Sequence, residues 1–275
     1  MTSLPHDRFC DEIVTQTGLL REVVAGADLS ATVPTAPDWA LGDLLRHVGG
    51  NLRAVEQAAR TGIPVTEPER EVPGHAGPGG DDPAALGGWL ASAAEAAGAT
   101  LRSAGPDAEA QVWDVRWPTA AWARRAAQDI VVHRADAAGT VGAAYRVDGD
   151  LAVDAVDEFL DLLSGLAAAA AAADGDPGPG QEPGGAGAAG PEPGGTVHLH
   201  ATDTGPDLSA EWLVALDLPT FRWRHGHDRA TVAVRAPLAD LLRVVTRRLP
   251  PDSEGVEVFG DRMVLDAWLE HLRLQ

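Results

Sequence analysis

Asp129, His133 and Asp136 are spaced four and three residues apart within Arg124–Asp136, and no Gly or Pro occurs between Thr119 and Gly139. The stretch reads as helix, and on a helix these side chains form one stripe. A stripe of carboxylate, imidazole and carboxylate is costly to bury unless something binds it, and a divalent metal would do so. A catalytic metal site needs about three protein ligands and an open position. Asp129 and His133 supply two. His47 is the best third, because it lies among Leu41, Leu44, Leu45, Val48, Leu52 and Val55 on the apolar face of another predicted helix. The competing reading is a hydrogen-bonded core histidine. Two imidazoles and a carboxylate suit zinc ahead of other divalent ions.

The remaining chemistry-bearing residues are less organised. Cys10 is the only cysteine and lies in a predicted amphipathic helix, so it reads as a small buried or half-buried thiol rather than a nucleophile. His198 and His200 share one side of a predicted strand, and His225 and His227 repeat the spacing. Neither pair has an identifiable third ligand, so both read as strand and turn surface.

Five helices are expected to position the first set: 6–26, 40–61, 82–103, 119–138 and 150–172, the last marked by Val153, Val156, Phe159, Leu160, Leu163 and Leu166 at helical spacing. Residues 35–39, 63–81 and 105–118 read as turns and loops. In the last of these Trp113 and Trp117 could give a pocket an aromatic wall. Residues 1–172 are therefore expected to form an antiparallel helical bundle carrying the metal site. Residues 173–195 hold only Ala, Gly, Pro, Asp, Glu and one Gln, and read as a flexible linker. From 196 to 275 the pattern changes to period-two strands with two helices, a small α+β domain.

With a formal charge of -20 and a pI near 4.6, the chain lacks the basic patch that phosphate binding needs, so no nucleic-acid partner is expected. No apolar run is long enough to span a bilayer and no signal peptide is recognisable, which makes a cytoplasmic protein, monomer or homodimer, the expectation. All positive side chains are Arg, with no Lys.

Three segments carry a resemblance. They are Trp39-Ala40-Leu41-Gly42-Asp43-Leu44-Leu45-Arg46-His47, then Trp122-Ala123-Arg124-Arg125 through His133-Arg134-Ala135-Asp136, then the stretch from Val197-His198-Leu199-His200-Ala201-Thr202-Asp203 to Val256-Glu257-Val258-Phe259-Gly260-Asp261. In that order they are similar to the mycothiol-dependent maleylpyruvate isomerase family of actinobacteria, whose N-terminal half is a DinB-like four-helix bundle. The likeness spans most of the chain outside 63–81 and 173–195. It implies an N-terminal bundle followed by a small α+β domain, with His47, Asp129 and His133 as metal ligands. The family usually carries Glu where this chain has Asp129, whose oxygens reach one methylene less far. The resemblance implies mycothiol as thiol cofactor and a small electrophilic substrate. Asp136 and Arg248 are the catalytic candidates. Asp136 would orient a ligand histidine or touch the thiol, against an ion pair with a neighbouring Arg. Arg248, Arg222 and Arg224 would hold the thiol's polar groups or substrate carboxylates, against solvated surface charge. The implied reaction is thiolate addition to an electron-poor double bond, rotation and elimination, giving cis–trans isomerisation; without elimination it is thiol transfer. Two other readings stay open: a tailoring enzyme of this fold working without thiol, and a non-catalytic metal- or ligand-binding regulator.

Overall fold

A computed structural model describes residues 4–80, 82–174, 194–217 and 220–272. The chain divides into two compact units, Thr2–Arg146 and Val147–Gln275.

The first unit runs α1 (His6–Val23), β1 (Thr32–Val33), β2 (Ala36–Ala40), α2 (Leu41–Thr61), α3 (Pro68–Glu71), α4 (Pro83–Ala104), β3 (Glu109–Val112), β4 (Val115–Pro118) and α5 (Thr119–Val141). Local chemistry sets the helix ends. The Asp82 carboxylate accepts from the Ala84 amide at 3.0 Å, with Pro83 in the first helical position. The Asp43 carboxylate reaches back to the Ala40 amide at 3.0 Å, and Gly62, at φ 66°, closes α2 in the left-handed conformation. α1 packs on α4 and α5, and α2 packs on the same two helices, so the order around the bundle is α1, α4, α2, α5. Phe9, Ile13, Leu44, Leu52, Leu90, Leu101 and Ile130 fill its centre. At Gly98 the backbones of α1 and α4 come so close that a Cβ would lie 2.8 Å from the Cys10 carbonyl oxygen. The stretches 35–39 and 105–118, expected as loops, form part of two short hairpins. The loop 63–81 is pinned where Val65 bridges Val112.

One cation is deeply buried here. The Arg134 guanidinium donates to Gln16 Oε1 and, at 3.0 Å, to the Arg146 carbonyl, and it lies 5.6 Å from the centre of the Tyr145 ring. Tyr145 in turn donates to the Val131 carbonyl at 3.0 Å. These bonds offset part of the cost of burying the charge, and they fold 142–146 back onto α5.

The second unit contains α6 (Gly149–Asp174), β5 (Thr196–Ala201), β6 (Glu211–Asp217), β7 (Thr220–His225), β8 (Val232–Ala236), α7 (Leu238–Val245), β9 (Glu257–Gly260) and α8 (Arg262–His271). The sheet order is β7-β6-β5-β8-β9, parallel only between β5 and β8. β5, β6 and β8 bury Val197, Leu199, Trp212, Val214, Val232 and Val234, while α7 and α8 both pack on β5 and β8.

The expected boundary at 172 does not match this division. α6 packs against α7 and β7, so it belongs to the sheet unit, and the four bundle helices are α1, α2, α4 and α5. An apolar stripe specifies which face a helix buries, not which partner covers it. Val153, Val156, Phe159, Leu160 and Leu163 are buried as expected, but Leu166 is half exposed. The expected linker, 173–195, lies almost wholly outside the described residues. No helix among the described residues is long and apolar enough to cross a membrane.

A candidate metal centre on two facing helices

The packing of α2 against α5 brings His47 to Asp129 and His133, and one donor atom from each lies within 4.8 Å of the others. His133 Nε2 is 3.7 Å from Asp129 Oδ1. The His47 and His133 rings meet edge to face, with centroids 5.0 Å apart. Around a tetrahedral zinc, N and O ligands at about 2.0–2.1 Å sit about 3.4 Å from one another, so small side-chain adjustments suffice. The donor set therefore fits a divalent ion.

The surrounding groups prepare these donors. His133 Nδ1 lies 2.9 Å from Asp136 Oδ2, and the Thr35 hydroxyl donates to Asp136 Oδ1 at 2.5 Å. With its Nδ1 proton given to Asp136, His133 keeps the Nε2 lone pair toward Asp129. Thr35 comes from the β1–β2 turn, and Trp39 on β2 lies 4.8 Å from the His47 ring. Burial lowers the His47 pKa, partly opposed by the Asp129 carboxylate, so the ring is neutral at pH 7 and can donate a lone pair. Burial would raise the Asp129 carboxyl, but His133, Arg125, His47 and a hydrogen bond from Asn51 outweigh it and hold the group below its ordinary value. Arg125 Nη2 donates to Asp129 Oδ1 at 3.2 Å. Asn51 Nδ2 is 3.1 Å from His47 Nε2, so one amide donates to the two groups a cation would draw together.

Beside Asp129 is a cavity of about 100 Å3, lined by Leu52, Val55, Trp113, Trp122 and Arg125 among others. Trp122 is fixed by a 3.0 Å bond from its indole N–H to the Ala110 carbonyl, and Trp113 leans on it with ring centroids 6.4 Å apart. Of the aromatic wall expected from 105–118 only Trp113 lines the cavity; Trp117 packs on Trp122 instead, and Trp122 of α5 is the buried member of the wall. Trp113 sits at φ 53° in the β3–β4 turn, a left-handed conformation uncommon for a large side chain.

The other candidate residues lie elsewhere. Arg222 and Arg224 are on β7 and Arg248 follows α7, all in the second unit. Arg224 pairs with Asp228, and Arg248 Nη1 donates to the Thr246 carbonyl at 2.6 Å. Cys10 is fully buried, and burial pushes its thiol up to about 11. His6, one turn before, stands 3.7 Å from its sulfur, but the same Nε2 bonds the Leu101 carbonyl at 3.0 Å and must carry the proton there, so it cannot act as base.

Sequence reasoning missed Asn51 and Thr35. Asn51 had a signal, being one helical turn from His47. Thr35 had none, since its approach to Asp136 depends on how the hairpin folds.

Residues 10–138 match the family model described as mycothiol maleylpyruvate isomerase N-terminal domain, and residues 150–267 match the C-terminal domain of the same family. A solved structure of the mycothiol-dependent maleylpyruvate isomerase, and one of a histidine-to-alanine mutant of it, superpose with a TM-score of 0.55 at 16% identity, covering 94% of this chain and 95% of theirs. That likeness concerns the fold. A comparison with curated protein sequences finds no significant match.

Proposed function

We propose, starting from the fact that the chain belongs to the mycothiol-dependent maleylpyruvate isomerase family, that it is a divalent-metal enzyme using a small thiol, mycothiol, on an electron-poor substrate. The observation that carries the metal part is the convergence of His47, Asp129 and His133 beside a cavity walled by Trp113 and Trp122. Three protein ligands are what a working site uses, and this favours an enzyme over a closed binding module.

In this reading His47, Asp129 and His133 hold the ion, zinc ahead of others. When bound, the ion supplies a Lewis acid that keeps a coordinated thiol ionised at neutral pH. The thiol supplies the nucleophile that this chain does not offer, because Cys10 is buried and protonated. Asp136 is a positioning residue: it holds the His133 proton at Nδ1 and so keeps Nε2 unprotonated. Arg125 keeps Asp129 ionised and presents positive charge to the cavity, where a substrate carboxylate would be drawn. Trp113 and Trp122 exclude water from one side of the cavity. Arg222, Arg224 and Arg248 stay candidates for holding anionic groups of the thiol or substrate. Isomerisation stands ahead of thiol transfer on the family membership alone.

The test is turnover of maleylpyruvate by the zinc-loaded protein with and without mycothiol. The reading expects isomerisation only with both. Equal turnover without thiol would remove the thiol role, and turnover unaffected by exhaustive chelation would remove the metal role.

A further inference from the structure

The histidine pairs of the second unit do not remain surface pairs. In the β5–β6 register His200 stands opposite Glu211, and His198 lies two residues along the same strand. β7 runs antiparallel to β6 and ends with His225 opposite Trp212. The chain then turns at Gly226, whose amide bonds the Glu211 carbonyl, and delivers His227 to the same carboxylate. His198 Nε2, His200 Nδ1 and His227 Nδ1 lie 2.9, 3.0 and 2.5 Å from the single oxygen Glu211 Oε2. The three rings are mutually steep, at 72°, 90° and 71°, with centroids 5.9, 5.0 and 6.0 Å apart. His225 takes no part; its Nε2 is bonded to Asp157 at 3.1 Å.

A carboxylate oxygen has two lone pairs, so it cannot accept three full hydrogen bonds. Three imidazole nitrogens gathered around one carboxylate oxygen are instead the donor set of a closed, four-ligand zinc site, once the carboxylate moves aside to take the fourth position. The spacing of the donors, at most 4.8 Å, is near the roughly 3.4 Å edges of such a tetrahedron. His198 is buried and His227 exposed, and a solvent-open depression of about 530 Å3 borders His200, Glu211 and His227, giving an ion a route in.

We propose that His198, His200, Glu211 and His227 form a second metal site, a structural one for zinc or a similar divalent transition ion, fastening the β7–β8 turn to β5 and β6. It is independent of the centre in the first unit and uses all four positions for protein ligands, so it leaves none for substrate. Its role is to order the β7–β8 connection, where Gly226, Asp228 and Arg229 would otherwise be held chiefly by exposed polar contacts.

The experiment counts zinc by elemental analysis in untagged, full-length protein after loading and desalting. His47→Ala/His133→Ala removes the first centre and is expected to retain one equivalent; adding His227→Ala, an exposed turn residue, is expected to remove it. Should the double variant not fold, wild type is compared with His227→Ala alone, which is expected to lose one equivalent while its circular dichroism is unchanged. Cobalt titration of the same proteins should give tetrahedral d–d absorption that weakens at least tenfold in cobalt affinity on Glu211→Gln. A folded double variant without metal, retention of its equivalent after His227→Ala, or equal zinc content in wild type and His227→Ala would overturn the site.

Discussion

The Nδ1 atom of His133 and the Oδ2 atom of Asp136 are 2.9 Å apart, one helical turn from each other, with Asp136 almost fully buried. That bond decides which nitrogen of His133 is available, and in the proposed metal centre it gives the buried carboxylate a supporting role without contact to an ion. Asp136→Ala should therefore weaken zinc binding about 10–100-fold. Thr35→Val, which removes only the hydroxyl bonded to Asp136, should act in the same direction more weakly. Competition with a coloured chelator measures both, and unchanged affinity in Asp136→Ala would deny its positioning role.

Asp129 is the carboxylate of the proposed ligand set, and its side chain is one methylene shorter than that of Glu. Asp129→Glu should retain the ion, since the extra methylene extends the carboxylate toward His47 and His133. Asp129→Ala should lose at least tenfold in metal affinity, with activity falling in parallel. Full metal content and full activity in Asp129→Ala would show that another residue is the carboxylate ligand.

Trp113 tests whether the cavity wall matters. Its left-handed backbone costs roughly 1–2 kcal/mol, which Trp113→Gly would relieve. The same change removes the ring contact with Trp122, worth roughly 0.5–1.5 kcal/mol. The relief of backbone strain offsets part of the lost ring contact and apolar burial, so the loss of stability should be modest while KM rises. A large loss of stability with unchanged KM would make the tryptophan structural.

Cys10 should be chemically quiet. A thiol raised to about 11 from an ordinary 9.0 carries about a hundredfold less thiolate at pH 7. Labelling by a thiol reagent should accordingly be slow in the folded protein and fast once it is unfolded. Cys10→Ala should keep thiol-dependent turnover, and loss of turnover in a folded Cys10→Ala protein would reopen an internal nucleophile.

The helices and the clustering of His47, Asp129 and His133 were legible because their signals are local. His133 is four residues from Asp129 and three from Asp136, and His47 lies on an apolar helix face whose repeat is visible in the sequence. The second cluster was not legible, because Glu211 meets His200 only through the β5–β6 register, and His227 arrives through the turn at Gly226. Period-two spacing made His225 and His227 look alike, yet one bonds Asp157 and the other Glu211. α6 was misplaced for a related reason. Its stripe was read correctly, but nothing along the helix says that Asp157 would accept from the Trp212 indole at 2.6 Å, a bond that ties α6 to the sheet.

The return of 142–146 over Arg134 sets a limit on where this protein can be cut. A fragment ending at Arg146 keeps the carbonyl and the Tyr145 ring that shelter the guanidinium, and it carries His47, Asp129 and His133 complete. A fragment ending at Gly142 keeps the Gln16 bond but removes the Arg146 carbonyl and the Tyr145 ring from the buried guanidinium, a loss of about 1.5–3 kcal/mol for a hydrogen bond to a charged group. The half that carries the three candidate ligands is thus a transplantable cassette only when those last few residues travel with it.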